Sequence, residues 1–385
     1  MTQTDPSSVP LGGHVDPRFE AVRAAFVENF ISREEVGASI CLVVDGVTVV
    51  DLWGGWQDAA RTRPWQADTL VNVFSVGKAI AALCVVQLVS RGALEFDQRV
   101  SSVWPEFAAE GKSDVTVRQL LSHQCGLPAI REQLPPGAIY DWDAMCATLA
   151  AHRPWWEPGT AHGYHVNTFG FLVGELVRRV TGDTLGTMVQ REIAGPLAAD
   201  FYIGVSEQQL GRIADHLWTL APPTTAPEDL NESQRMELCA YFNPPDFSGA
   251  GVVNTTQWRM AELPSTNGHA SARGIARIFH ALEEADRSSG FVSSAALREA
   301  TAEQVHDDDM VLHRSSRFGI GFQLTQTERP LGPNPRSYGH FGAGGSLGFC
   351  DPDARLAFGY AINTMGPRWQ NPRNGALIEA CYDCL

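Results

Sequence analysis

Lysine is nearly absent from this sequence, and positive charge in general is scarce. The 385 residues include 29 basic and 44 acidic side chains, which gives a formal net charge of −15. No run of basic residues occurs, so the composition argues against a surface for nucleic acid or for an anionic membrane. Lys78 and Lys112 are the only lysines, and arginine is used elsewhere.

Long apolar runs are also missing. No stretch approaches the roughly 18 consecutive apolar residues that a membrane span needs, so we expect no membrane association. Residues 1–13 are polar and lack the charged start and apolar core of a signal peptide. These features predict a cytoplasmic protein, and 385 residues are enough for a large core.

Paired cysteine motifs are scarce as well. Six of the eight cysteines are scattered in mostly apolar surroundings, which is typical of small buried side chains in a reducing compartment. Cys381 and Cys384 form one C-x-x-C pair near the end of the chain. Because neither a second pair nor a nearby histidine accompanies it, we predict no metal site.

Strand patterns occur at both ends of the chain, and helical patterns lie between them. Two β-branched runs at 38–44 and 47–53 meet at Asp45-Gly46, which predicts a hairpin. Strand character returns near the C-terminus, where residues 318–324 alternate between apolar and small or polar side chains. The two ends are predicted to share one antiparallel sheet covered by the terminal helices, which makes the fold α+β.

This pattern predicts two domains. Residues 1–70 and 290–385 would form the sheet domain, and residues 71–289 a mainly helical domain, with the active site at their interface. Within the helical domain, residues 218–268 are rich in Pro, Thr, Asn and Gly. We interpret them as a long loop with short helical pieces that lines a pocket.

The stretch that begins at Ser75 carries the strongest chemical signal. After Lys78 it is almost wholly apolar, which predicts the start of a buried helix. A desolvated lysine can lose its proton, whereas arginine cannot, so Lys78 is a candidate base. Ser75 lies about one helical turn earlier on the same face, which places a nucleophile beside that base. The structural alternative is Ser75 as a helix N-cap and Lys78 extending to solvent.

Acyl transfer by such a pair needs a proton shuttle, and Tyr164 is the candidate. It lies at the end of a loop-like segment, just before an apolar helical pattern. A tyrosine beside a lysinium can have a lowered pKa and accept the serine proton. His162 and His165 are competing candidates for this role, and a packing role for Tyr164 stays open.

The glycine-rich segment 338–345 is the candidate oxyanion hole. Glycines on a strand edge let substrate approach the backbone, and an N–H here could act with that of Ser75. The overlapping residues 344–348 match G-x-S-x-G, a nucleophile motif with Ser346 at its centre. That motif needs a strand–turn–helix, and a strand entering a turn follows instead, so we favour Ser75. We interpret His123, at a predicted helix end, as a packing or capping residue.

The order of these motifs resembles that of the serine β-lactamase and penicillin-binding protein superfamily. Ser-x-x-Lys at Ser75 comes first, the Tyr164 motif second and His-x-Gly at His340 last. Within the class C β-lactamase-like branch, the sequence is most similar to the family VIII carboxylesterases, from about residue 15 to the end. The accessory stretches 116–123 and 339–349 are typical of that branch.

The resemblance implies both a fold and a set of roles. The fold would be that of β-lactamases and DD-peptidases. Ser75 would be the acylated nucleophile, Lys78 its base and Tyr164 the proton relay. The backbone N–H groups of Ser75 and Ala343 would form the oxyanion hole.

Two positions depart from the β-lactamase pattern. His340 and Gly342 occupy the first and third positions of a motif that usually begins with lysine in β-lactamases. A largely neutral histidine weakens recognition of a substrate carboxylate there. Two residues after Tyr164 stands Val166 rather than asparagine, and Asn167 comes one place late. Both changes favour uncharged esters over β-lactams and peptides.

The resemblance therefore implies a serine carboxylesterase that acts on short-chain, uncharged esters and needs neither metal nor cofactor. Its partner would be a small-molecule ester, and neither nucleic acid nor membrane. Aromatic side chains flank the motifs, and we expect them to line an apolar pocket beside His340 and Gly342; they are Phe74, Trp155, Trp156 and Phe341.

Three alternatives stay open at this point. A β-lactamase or amidase would use the same residues on an amide. An acyltransferase would pass the acyl group to an alcohol or amine, and it shares the first half-reaction with a hydrolase. A non-catalytic binding protein could keep the fold, although the intact Ser75, Lys78 and Tyr164 argue against it.

Overall fold

A nine-stranded antiparallel sheet, formed by both ends of the chain, is the framework of the protein. The computed structural model describes residues 9–218, 230–245, 247–288, 290–367 and 369–385. In chain order, the strands of this sheet and of a smaller three-stranded one are β1 (Leu11–Val15), β2 (Gly37–Val44), β3 (Val47–Gly55), β4 (Val71–Asn72), β5 (Phe201–Ile203), β6 (Gly268–Ala270), β7 (Val305–Asp308), β8 (Ser315–Phe318), β9 (Gln323–Leu324), β10 (Tyr338–Phe341), β11 (Leu347–Asp351) and β12 (Leu356–Ile362).

The large sheet has the order β1-β3-β2-β12-β11-β10-β9-β8-β7, and the small one has the order β4-β6-β5. The α-helices are α1 (Glu20–Ser32), α2 (Val76–Ser90), α3 (Val117–Leu121), α4 (Trp142–Ala151), α5 (Thr168–Thr181), α6 (Leu185–Met188), α7 (Glu207–Leu210), α8 (Glu232–Phe242), α9 (Thr256–Met260), α10 (Ala272–Arg287), α11 (Ser294–Ala300) and α12 (Pro372–Tyr382).

The join between the two chain ends is the pairing of β12 with β2. Leu356 lies opposite Val44 in an antiparallel register that runs along both strands. The predicted hairpin between β2 and β3 is present, and its turn residues Asp45 and Gly46 have φ values of 51° and 79°. Positive φ at both positions is the turn geometry that matches strand twist. The prediction of an α+β fold with one sheet from both ends is confirmed.

Alternation along the strands divides the core into two layers. In β2, Ile40 and Leu42 pack with the terminal helices α1 and α12, whereas Cys41 and Val43 face the layer that contains α2 and α10. Successive side chains of a strand point to opposite faces, so the two layers follow from the sequence pattern. This sidedness decides which residues of β10 can face the candidate site.

Two strand predictions need correction. The alternating segment 318–324 is not one strand, because it splits into β8 and β9 around a turn in which Gly321 has a φ of 79°. Strand β1 was not predicted, because Leu11–Val15 is short and contains two glycines. It forms because it pairs with β3 at the sheet edge, where the absent side chain of Gly12 leaves room for the ring of Trp53.

The segment 218–268 contains more regular structure than a long loop. It holds α8, α9 and the start of β6, although residues 219–229 lie outside the described part of the chain. Helix α10 packs on strands β2, β11 and β12 of the large sheet. The division into domains at residues 70 and 289 stays a prediction.

Some general properties of the described residues bear on the functional class. No helix there is long and apolar enough to span a bilayer. All eight cysteines are free thiols, and six of them are buried. No cluster of three or more His, Cys, Asp or Glu side chains in the described ranges is arranged to hold a metal ion.

Candidate active site

The candidate nucleophile, Ser75, stands at the tip of a tight turn just before α2. Phe74 has a φ of 46°, an unusual value for a bulky residue, and its N–H donates to the Oδ1 atom of Asn72 at 3.1 Å. Ser75 is the N-cap residue of α2, but its side chain makes no capping hydrogen bond. Ser75 thus occupies the N-cap position without capping the helix through its side chain, and its hydroxyl bonds with Lys78 instead.

Lys78 is completely buried in the first turn of α2. Its Nζ atom lies 3.0 Å from the Oγ of Ser75 and 2.9 Å from the backbone carbonyl oxygen of Ser265. No carboxylate in the described ranges pairs with it. Burial lowers the pKa of Lys78 well below its usual 10.5, because a charged amine loses its hydration there. The alternative in which Lys78 reaches solvent is wrong.

Ser265 was not predicted, although it supports the site in two ways. Its backbone carbonyl accepts a hydrogen bond from the Lys78 amine. Its Oγ accepts the N–H of Gly170 at 2.6 Å near the start of α5. A Cβ on Gly170 would stand 2.5 Å from the Ser265 nitrogen, and one on Gly77 would stand 2.9 Å from the Pro264 oxygen. The glycines near the starts of α2 and α5 were the available signal, because they permit a third segment to pass between two helices.

Tyr164 lies beside Lys78, with the amine over its ring. Nζ of Lys78 is 4.9 Å from the centroid of the Tyr164 ring, and the tyrosine is 1% exposed. Its hydroxyl makes no hydrogen bond of standard geometry with a described residue, although the Ser75 side chain is close enough to influence it. Burial raises the pKa of Tyr164 well above its usual 10, and the Ser75 hydroxyl opposes this only in part.

This direction corrects the expectation of a lowered tyrosine pKa. That expectation required a lysinium beside the ring, but burial favours the neutral amine of Lys78 as well as the neutral phenol of Tyr164. Burial thus shifts both groups toward their uncharged forms, a free amine on Lys78 and a protonated phenol on Tyr164. Tyr164 can give a proton, and Lys78 is the group that can take one.

The backbone of Tyr164 is held by Asp309, which sequence reasoning missed. Oδ1 of this buried carboxylate accepts the N–H groups of Tyr164 at 3.0 Å and of Val311 and Leu312 at 2.9 Å. Its Oδ2 accepts the hydroxyl of Ser316 at 2.9 Å. Asp309 thereby positions the tyrosine from the β7–β8 connection, more than a hundred residues away in the chain. In the sequence Asp309 is the last of three consecutive aspartates, a pattern too general to identify it.

The three nearby histidines are occupied by structural contacts. His165 bonds the carbonyl of Gly163 through Nδ1 at 2.6 Å and the N–H of Leu127 through Nε2 at 3.1 Å, and burial lowers its pKa to about 3. Nε2 of His162 lies 2.8 Å from the hydroxyl of Ser316. His123 accepts the N–H of His165, and its ring packs 5.0 Å from that of Tyr164. These contacts support the interpretation of His123 as a packing residue.

Strand β10 brings His340 and Gly342 to the site. The ring of His340 lies 6.0 Å from that of Tyr164, its Nδ1 bonds the carbonyl of Phe341 at 2.7 Å, and burial lowers its pKa to about 3. Its Nε2 is buried and has no hydrogen-bond partner in the described ranges. The imidazole is thus neutral, as the sequence indicates. A Cβ on Gly342 would stand 2.2 Å from the carbonyl oxygen of Val73, so this glycine lets β10 contact the Ser75 turn.

Phe341 points the other way. Its side chain belongs to the core layer between the sheet and the terminal helices, because it alternates with His340 along β10. The prediction that Phe341 lines the substrate pocket is therefore replaced by a packing role.

Ala343 begins a short turn, Ala343–Gly345, that follows β10. The carbonyls of Gly344 and Gly345 accept the side-chain amides of Asn371 and Asn374 at 2.9 Å, so the first turn of α12 holds this segment in place. Sequence reasoning missed both asparagines. The signal was the Asn-x-x-Asn spacing at the start of the last helix, which forms a capping box.

The remaining predicted residues lie around this centre. Ser346 is buried, and its Oγ accepts the N–H of Ile362 at 3.3 Å, within the strand context that argued against a nucleophile elbow. Phe74 packs at 4.8 Å from the ring of His216. Trp155 stacks under Arg131, and Trp156 lies 6.1 Å from His165. Among the described residues neither tryptophan has a ring contact with Tyr164, and their contact with substrate stays a prediction.

The fold and this Ser–Lys–Tyr geometry define a protein of the serine β-lactamase type. Residues 19–380 match the family described as Beta-lactamase. The chain belongs to that family, which confirms the resemblance drawn from the motifs.

Solved structures and a curated relative give closer comparisons. A crystal structure of a family VIII carboxylesterase is 42% identical, covers 98% of this chain and 100% of its own, and superposes with a TM-score of 0.90. A penicillin-binding protein homolog from Caulobacter crescentus is 39% identical with a TM-score of 0.89, over 98% of this chain and 100% of its own. Esterase/beta-lactamase LipL of Mycobacterium tuberculosis is 32% identical over 92% of this chain and 83% of its own length.

Proposed function

We propose that the protein is a serine carboxylesterase that hydrolyses short-chain, uncharged esters through an acyl-enzyme on Ser75. The observation that carries this proposal is the buried amine of Lys78, 3.0 Å from the Ser75 hydroxyl and without a carboxylate partner in the described ranges. A neutral amine at that distance is a general base for the hydroxyl. The names of the similar proteins, a family VIII carboxylesterase and an esterase/beta-lactamase, support the same reaction.

Acylation begins with attack of the Ser75 oxygen on the ester carbonyl while its proton moves to Nζ of Lys78. The resulting ammonium is stabilised by the carbonyl of Ser265 and by the face of the Tyr164 ring, 4.9 Å away. Both groups are fixed before the reaction, so little reorganisation is needed when the charge appears. These fixed contacts offset part of the cost of a buried ammonium.

The neutral phenol of Tyr164 then serves the leaving group. When the carbon–oxygen bond breaks, the alcohol takes a proton from the phenol, and the phenol recovers one from the Lys78 ammonium. Lys78 is again neutral and ready to activate the water that releases the acid from Ser75. A raised tyrosine pKa suits this role, because a phenolate at rest could not protonate an alcohol.

The oxyanion would be held by the N–H groups of Ser75 and Ala343. The close approach of Gly342 to the carbonyl of Val73 brings the end of β10 beside the Ser75 turn, which supports this pairing. The asparagines at the start of α12 fix the adjacent glycines. Two preorganised donors of this kind are worth several kcal/mol in acyl transfer.

The charge of His340 bears on which substrate groups can lie next to the reacting ester. Its neutral, buried imidazole stands close to Lys78, where a cation would attract a carboxylate. We therefore propose uncharged groups next to the scissile ester. The free, mostly buried cysteines fit a reducing compartment, and we keep the cytoplasm as the proposed location.

Labelling of the nucleophile tests this function. We expect a fluorophosphonate to modify the wild type, with the mass increase on the peptide that contains Ser75, and to leave Ser75→Ala unmodified. A short-chain p-nitrophenyl ester should be hydrolysed much faster than a chromogenic cephalosporin. Product analysis with added alcohol separates hydrolysis from acyl transfer, since free acid is expected to predominate. Labelling of both proteins, or of neither, would contradict the proposal.

A further inference from the structure

We propose that Arg314 binds a carboxylate on the alcohol portion of the substrate, so that esters of hydroxy acids are substrates in addition to simple neutral esters. This inference rests on the proposed esterase function and extends its substrate class. It concerns the rim of the site beyond Tyr164 and not the reacting atoms.

Arg314 is one ring away from the catalytic tyrosine. Its guanidinium carbon lies 5.0 Å from the centroid of the Trp369 ring. The Trp369 ring in turn lies 4.9 Å from that of Tyr164, at an interplanar angle of 63°, and 6.5 Å from that of His340. A guanidinium over an indole face is attracted by the ring and still carries N–H groups that can bind an anion. The cation thus lies against Trp369, which in turn contacts Tyr164.

Arg314 differs from its neighbour Arg317 in its ion pairing. No carboxylate in the described residues forms an ion pair with it, whereas its neighbour Arg317 pairs with Glu303 at 2.7 Å. The buried carboxylate of Asp309 is already occupied by backbone N–H groups and a hydroxyl. Glu237 lies beside His313 at 3.3 Å.

A second arginine adds to the positive potential. Burial lowers the pKa of the Arg329 guanidinium, and the nearby charge of Arg314 lowers it further. Its Nη2 donates to the carbonyl of Ser315, so its side chain is fixed in the structure while its charge remains. Two arginines without an ion pair in the described ranges thus lie close together at this rim, although the carboxylates of Glu328 and Asp309 act on the pKa of Arg329 in the opposite direction.

The position of Arg314 selects the alcohol portion of an ester. Tyr164 protonates the leaving alcohol in the proposed mechanism, so groups beyond the tyrosine contact that alcohol and not the acyl chain. A carboxylate there can form two parallel hydrogen bonds with the guanidinium edge. The neutral His340 next to Lys78 does not compete for the anion. The neutral His340 beside the reacting atoms is therefore distinct from the guanidinium of Arg314 at the rim.

A matched pair of substrates tests the inference. 4-Acetoxybenzoate and its methyl ester share the same acetyl group and ring, and they differ in one charge. We expect Arg314→Gln to lower kcat/KM for 4-acetoxybenzoate about tenfold or more, with less than about a twofold change for the methyl ester. Arg298→Gln, which removes an exposed arginine on α11, is the charge-matched control and should change neither value by more than about twofold.

Salt gives a second readout. For the wild type, raising the NaCl concentration should lower kcat/KM for 4-acetoxybenzoate more than for its methyl ester, and Arg314→Gln should remove this difference. The inference is overturned if Arg314→Gln affects both esters equally or neither. It is also overturned if only a carboxylate on the acyl side, as in mono-4-nitrophenyl glutarate, depends on Arg314. Absence of Ser75-dependent hydrolysis of the neutral methyl ester would instead contradict the esterase function itself.

Discussion

The amine of Lys78 donates to the backbone carbonyl of Ser265 across 2.9 Å. A neutral amine has two N–H groups and one lone pair. With one N–H directed at this carbonyl, the lone pair can face the Ser75 hydroxyl, 3.0 Å away. A backbone carbonyl is suited to this task because, unlike a carboxylate, it orients the amine without a full charge that would hold it protonated.

The cost of burying Lys78 should be visible in stability. The pKa of Lys78 is lowered in the folded protein, so the unfolded chain binds a proton at Lys78 more tightly than the native state does. The resulting loss of folding stability is absent above the usual pKa of 10.5 and grows as the pH falls. Below the pKa of Lys78 in the folded protein it stays constant. We expect Lys78→Met to increase the free energy of unfolding relative to wild type, and by more at pH 7 than at pH 10. Urea denaturation at both pH values measures it, and a pH-independent difference would contradict the account.

The same lowered pKa predicts the pH dependence of catalysis. A base acts when it is unprotonated, so kcat/KM should stay high well below pH 10.5 and fall as the pH drops through the folded pKa of Lys78. Lys78→Arg should be inactive throughout this range, because a guanidinium keeps its proton. Circular dichroism of the variant controls for folding. Activity of a folded Lys78→Arg protein would exclude the lysine as the base.

Ser265 should influence both the helix and the amine. Asn167, the N-cap residue of α5, makes no capping hydrogen bond and donates its amide to the carbonyl of Ala240 instead. The hydroxyl of Ser265 accepts the Gly170 N–H in its place. We expect Ser265→Ala to lower the free energy of unfolding by about 1 kcal/mol, the usual value of a helix cap, and to lower kcat more than it raises KM. Ser265→Thr, which keeps the hydroxyl, should restore part of both.

Much of this architecture could be predicted from the sequence, because the signals were local. The Asp45-Gly46 turn between two β-branched runs identifies β2 and β3. The spacing of Ser75 and Lys78 on an apolar helix predicts that their side chains lie together, as they do at 3.0 Å. Strand β1 was missed because its pairing with β3, and not its own composition, makes it a strand.

The parts that could not be predicted depend on contacts between distant segments. Asp309 and Ser265 act on Tyr164 and Lys78 through backbone groups, which leave no residue pattern in the chain. The direction of the tyrosine pKa depends on burial and on whether Lys78 is charged, and neither is visible in a motif. Phe341 was misplaced because the face of β10 is set by its register with β11.

The contact of Gly342 with Val73 predicts a sensitive position. Gly342→Ala would place a methyl group 2.2 Å from the Val73 carbonyl, so the end of β10 must move away from the Ser75 turn. We expect kcat/KM for a short-chain ester to fall by about a hundredfold, the effect of a displacement of about 1 Å.

Gly375→Ala is the matched control for that substitution. Gly375 lies in α12 with open space around its Cα atom, so alanine there should leave activity unchanged and stabilise the helix by up to about 1 kcal/mol. Thermal unfolding of both variants separates a local displacement from loss of the fold. Full activity of Gly342→Ala would contradict the proposed contact between β10 and the nucleophile turn.

The identity of the nucleophile is the central claim. Hydrolysis of a short-chain p-nitrophenyl ester by wild type, Ser75→Ala and Ser346→Ala, measured side by side, tests it most directly. We expect Ser75→Ala to be inactive and Ser346→Ala to keep substantial activity, since the side chain of Ser346 accepts a long hydrogen bond from the Ile362 N–H. If Ser346→Ala is inactive while folded and Ser75→Ala still hydrolyses the ester, the Ser–Lys–Tyr account is wrong.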